Sequence, residues 1–95
     1  MDDEFTEIRS QMEQIIFHKK IPQIVCMDSN FNQDIGELMP NVFAQGFCSV
    51  LPKKPTTPKG KEYDKIITSK EWKCTSSKII PGNADHFLCF AEVGF

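Results

Sequence analysis

Three stretches of this 95-residue chain end an apolar run with side chains that can do acid–base or metal chemistry. Asp28, with Asn30 two residues on, follows Gln23-Ile24-Val25-Cys26-Met27; Asp64 opens Asp64-Lys65-Ile66-Ile67-Thr68; Asp85-His86 leads into Phe87-Leu88-Cys89-Phe90-Ala91-Glu92-Val93. Carboxylates gathered at strand ends can hold a divalent cation and orient an attacking water. A histidine beside them can pass a proton or hydrogen bond to a phosphoryl oxygen, its tautomer fixed by a carboxylate behind it. Acids at strand ends are common, so each cluster by itself reads first as a solvated surface pair.

The elements that must position these residues follow from periodicity. Phe5, Ile8, Met12, Ile15 and Ile16 form one helical stripe over residues 3–18. Asp2, Asp3 and Glu4 suit the helix's positive end, while His18, Lys19 and Lys20 suit its negative end, which makes His18 a helix-end cation. Pro22 stops that helix, and the nearly all-apolar run 23–27 predicts a strand covered on both faces. Residues 31–46 predict a loop and a short helix, capped by Asp34, interrupted by Pro40 and ended by Gly46.

Strands are predicted over 47–51, 63–68 and 72–80, the last two joined by a tight turn near Ser69-Lys70-Glu71, and a final strand from His86. In that final strand Phe87, Cys89, Ala91 and Val93 fall on one face, and His86, Leu88, Phe90 and Glu92 on the other. The order is helix, strand, helix, then four strands: an α+β fold, one sheet with helices on one side.

Size and composition set the outer bounds. Ninety-five residues make one small domain at most, and 40% apolar residues with eight Phe suffice for a core. A net charge of −2 gives no global field to attract nucleic acid. The only basic patch is 52–62, with Lys53, Lys54, Lys59 and Lys61; it is either a solvated connection or a phosphate-backbone contact through Lys59 and Lys61.

Cys26, Cys48, Cys74 and Cys89 show no C-x-x-C spacing, and three of them lie in apolar runs, so reduced core thiols are expected. No segment approaches the roughly 20 apolar residues of a membrane span. Met1 to Phe5 lack the apolar region of a secretory signal, so an intracellular location, cytoplasmic or nuclear, is expected.

Three segments together resemble a known family. Val25-Cys26-Met27-Asp28-Ser29-Asn30-Phe31-Asn32 resembles the "GDFN" strand end of the endonuclease/exonuclease/phosphatase superfamily, whose fold is deoxyribonuclease-I-like. Thr56-Thr57 followed by Gly60 and Tyr63-Asp64-Lys65-Ile66 is similar to its "T…G…YDRI" strand, and Asn83 to Val93 to its terminal "SDHYPVxAxx" strand. The segments stand in the family's order and span residues 5–93, equivalent to the C-terminal half of a two-sheet α/β sandwich.

The resemblance implies metal-dependent phosphodiester hydrolysis with Mg²⁺, Mn²⁺ being a plausible substitute, and nucleic acid as the leading substrate. It further implies that Asp28 activates water, that Asn30 binds phosphate and helps fix Asp28, and that Asp64 supports His86. His86 would act on the phosphate and Asp85 would lie at the metal. Met27, Ser29, Ala84 and Leu88 depart from the family's usual Gly, Phe or Leu, Ser and Pro. The family's N-terminal half contributes a glutamate and an asparagine for which these residues offer no counterpart, so an upstream segment or another polypeptide is expected to complete the site. The alternative is a non-catalytic binding or regulatory module derived from the same fold.

Overall fold

A computed structural model describes residues 3–18 and 20–95, with side chains from residue 6 onward. The helix-end charges Asp2, Asp3, Glu4 and Lys19, and Phe5 of the apolar stripe, lie outside the described side chains. The elements run in order α1 (Asp3–His18), β1 (Ile24–Asp28), α2 (Ile35–Leu38), α3 (Pro40–Ala44), β2 (Cys48–Ser49), β3 (Asp64–Thr68), β4 (Lys73–Ile80) and β5 (Leu88–Gly94). The fold is α+β with small antiparallel sheets.

The expected single sheet divides into two. β3 lies between β1 and β2, while β4 and β5 form a separate ribbon. The turn after β3, closed by Trp72 N–H donating to Ser69 O at 3.2 Å, leads the chain away from β3 to pair with β5. At its far end Trp72 stacks on Phe95, ring centroids 4.4 Å apart.

The core lies on one side of the three-stranded sheet. Ile16 of α1, Ile35 and Leu38 of α2, Met39, Val42 of α3, Phe47 and Ile67 are buried, with Val25, Met27 and Phe31 packed against them. Pro40 divides the expected helix at Met39, which lets Leu38, Met39 and Val42 all turn inward. Gly46, at φ 95°, reverses the chain after α3; a side chain there would be strained and would meet the Lys70 side chain.

The other side of that sheet is open, and this corrects two expectations. β1 alternates instead of being covered on both faces: Val25 and Met27 are half-buried, whereas Ile24 is 44% exposed and Cys26 is also exposed. The thiols follow suit. Cys26, Cys48 and Cys74 are exposed and Cys89 is half-buried, all four free, because apolar neighbours in sequence do not guarantee a second covering layer. Ile8 and Ile15 of the α1 stripe are exposed too. The slab measures 38 × 36 × 17 Å, and its 6381 Å² of accessible surface exceeds the about 5,600 Å² usual for a monomer of this mass. No helix among the described residues is long and apolar enough to cross a membrane.

Candidate functional site

β1 and β3 pair so that Asp28 stands directly opposite Asp64, both on the face away from the helices. Opposed residues in an antiparallel pair hold their Cβ atoms about 5 Å apart, and two like charges at that spacing are destabilising. His86 relieves this. Its Nδ1 donates to Asp64 Oδ2 at 2.8 Å, and its Nε2 lies 3.4 Å from Asp28 Oδ2. One imidazole, at residue 86, thus spans two carboxylates, at residues 28 and 64.

The hydrogen bond from Asp64, strengthened by the charges of Asp64, Asp28 and Asp85, raises the His86 pKa above the usual imidazole range against a smaller opposing effect of desolvation. Asp64 is the more enclosed carboxylate, its side chain 20% exposed against 41% for Asp28.

Backbone and buried polar groups fix these three. Asn30 adopts the left-handed conformation, φ 57°, so that its N–H donates to Asp28 Oδ1 at 3.1 Å. Asn30 therefore steadies Asp28 through its main chain. Ser29, 5% exposed, is clamped to the start of β3: its N–H donates to Tyr63 O at 2.8 Å, and its Oγ lies 2.9 Å from Tyr63 O and 3.0 Å from Phe31 O. The buried Lys65 reaches from β3 to the same loop, donating to Phe31 O at 3.0 Å and Glu62 O at 2.7 Å. Burial lowers its pKa, outweighing the nearby acids.

Thr56 joins the remaining pieces. Its Oγ1 accepts the Asp64 N–H at 3.1 Å, and its carbonyl accepts the Phe87 N–H at 2.8 Å. One buried threonine thereby ties the residue behind the imidazole to the residue after it. In the sequence Thr56 is marked only by its place eight residues before Asp64, at the root of a proline-rich loop.

The residues singled out in the sequence thus divide into two groups. Asp28, Asp64 and His86 converge, with ligand atoms within 4.8 Å of one another. Asp85 lies outside that trio, in the exposed bend before His86, and β5 begins at Leu88, two residues after the expected start. Lys59 and Lys61 are exposed on the loop rooted at Thr56; that loop is closed by Lys61 N–H donating to Thr57 Oγ1 at 3.1 Å and Gly60 N–H to Thr57 O at 3.1 Å. A shallow groove lined by Cys26, Ile66, Phe87 and Cys89 runs beside the two carboxylates.

The trio suits Mg²⁺ poorly by itself. That ion asks for near-octahedral oxygen ligands at about 2.0–2.1 Å, whereas here the facing oxygens of both carboxylates are turned to ring nitrogens. Comparison with protein-family models, with curated proteins and with solved structures finds no match to this chain.

Proposed function

We propose that this chain carries the histidine side of a phosphodiester-hydrolysing centre of the endonuclease-like kind, completed by a further segment or partner. The observation that carries the reading is the convergence of Asp28, Asp64 and His86, from three separate segments, into one carboxylate–imidazole–carboxylate array. The hydrogen bond to Asp64 raises the His86 pKa and so favours the protonated imidazole, the state needed to donate to a phosphoryl oxygen or leaving group. Asp64 holds the ring, and Asp28, exposed and anchored by the Asn30 N–H, is the group able to take a proton from water.

Mg²⁺, or Mn²⁺ in its place, would supply positive charge to the phosphoryl oxygens, with Asp85 as the nearby acid outside the trio and further oxygens from the completing part. Exposed Ile24 and Cys26 on the open sheet face support such a completing part, since a bare apolar sheet face is normally covered by a second layer. Nucleic acid remains the proposed substrate, with Lys59 and Lys61 touching its phosphates.

The test is Mg²⁺-dependent cleavage of plasmid DNA by the chain assembled with its completing segment or partner, compared with the same assembly carrying His86→Ala. Loss of about 10²–10⁴-fold is expected, the usual range for a general acid or base; equal rates in the two overturn the assignment. One observation favours the second reading, a non-catalytic binding module: both ring nitrogens of His86 face protein carboxylates, as in a structural clamp. On that reading Asp28→Ala retains DNA binding and neither form cuts.

A further inference from the structure

The two nitrogens of His86 are not equivalent. Nδ1 carries a proton, since it sits 2.8 Å from a carboxylate oxygen that can only accept. In the neutral ring Nε2 then carries a lone pair, and it lies 3.4 Å from the Asp28 Oδ2 carboxylate oxygen. A nitrogen lone pair and a carboxylate oxygen this close repel unless they share a cation. A proton on Nε2 is one such cation.

The spacing suits another. Two ligands of a tetrahedral zinc ion, at about 2.0–2.1 Å from the metal, stand about 3.3 Å apart. Adjacent oxygens on octahedral Mg²⁺ stand about 2.9 Å apart, and Ca²⁺ does not take imidazole. Asp64 adds a second feature of zinc sites: a carboxylate accepting from the far nitrogen of the ligating histidine, which fixes the tautomer and raises its basicity.

We infer that His86 Nε2 and Asp28 Oδ2 form a two-point Zn²⁺ site, oriented by Asp64, with water filling the remaining positions. The ion occupies the place of the Nε2 proton, so Zn²⁺ removes the donor that hydrolysis uses and acts as an inhibitor of the centre. The inhibitory consequence rests on the proposed hydrolytic reading; the binding does not.

The exposed thiols would also take zinc, so the experiment uses a protein in which Cys26, Cys48 and Cys74 are replaced by Ser, all three being exposed. Imidazole ¹⁵N spectra are recorded during ZnCl₂ titration, with His18 at the end of α1 as the internal comparison. One equivalent of Zn²⁺ is expected to move the His86 Nε2 resonance and leave His18 in place, while MgCl₂ at the same concentration moves neither. Asp64→Asn is expected to weaken binding about 10–100-fold, the usual effect of losing the carboxylate behind a ligating histidine.

The inference is overturned if His18 and His86 respond at the same Zn²⁺ concentration, or if Asp28→Asn binds as tightly as its parent. Because the readout is binding, a chain that cuts DNA yet fails this titration overturns the zinc site alone. A chain that passes it and, once assembled with its completing part, never cuts leaves the zinc site standing and overturns hydrolysis.

Discussion

Thr56→Val is the most informative single change to the scaffold, because valine keeps the shape and removes one oxygen. Thr56 is 2% exposed, so no water replaces the lost group. The carbonyl of Lys61 loses little, as it also accepts the Thr56 N–H at 2.8 Å. The weight falls on the Asp64 N–H, which loses its acceptor at 3.1 Å. A buried donor deprived of its partner costs about 1–3 kcal/mol, and the half-buried position of Asp64 selects the lower part, about 1–2 kcal/mol.

For a domain of this size each kcal/mol moves the melting temperature by about 4–8 °C. Calorimetry is therefore expected to show a fall of roughly 4–16 °C for Thr56→Val, and a much smaller one for Thr56→Ser, which retains the hydroxyl. Equal falls in the two variants, or none in the valine form, would refute the role given to the Thr56 hydroxyl.

The pH dependence of His86 has a definite sign. Its folded pKa is raised, so the stability it contributes is fully present below the unfolded value of 6.5 and is lost as pH rises through the folded value. Asp64→Asn should lower the His86 midpoint in an NMR titration and destabilise the protein on the acidic side of that window, with little effect above it; an unchanged midpoint would contradict the Asp64 contact. A thiol reagent should modify Cys26, Cys48 and Cys74 quickly in the native protein and Cys89 slowly, since burial raises the Cys89 thiol pKa. Four equal rates, fast or slow, would count against the open sheet face. Leu38→Ala, at a side chain 1% exposed, should cost about 2–5 kcal/mol in denaturant unfolding; a smaller loss would mean that α2 is not packed as described.

Asp28, Asp64 and His86 were legible because strand ends and turns announce themselves locally. Pro81-Gly82-Asn83 marks where the last strand must begin, and the alternation after it assigned Cys89, Ala91 and Val93 to one face, where the structure has them half-buried. Register was not legible. Nothing in residues 24–28 says that Asp28 will face Asp64, because that pairing is set by the shared turn of Ser29 onto Tyr63 and by the Lys65 ammonium on Phe31 O. Burial was not legible either, because an apolar run can have one covered face and one bare one. The helices supply one layer only, so Cys26 and Ile24 stay in solvent. Ser29 is a buried clamp whose role appears only once both of its carbonyl neighbours are placed.

The Asp28–Asp64 pairing also has a kinetic side. It closes a loop of some 36 residues, whereas β4 and β5 meet through a short reversal between Ile80 and Leu88. Closing a longer loop costs more entropy before any contact repays it, so the ribbon is expected to form early and the carboxylate pair late. The histidine then waits in the bend before β5 for both partners. Any condition that frays β1 would dissolve the site while leaving most of the ribbon intact, and amide exchange at Met27 and Asp28 would register that opening before exchange in β4 or β5.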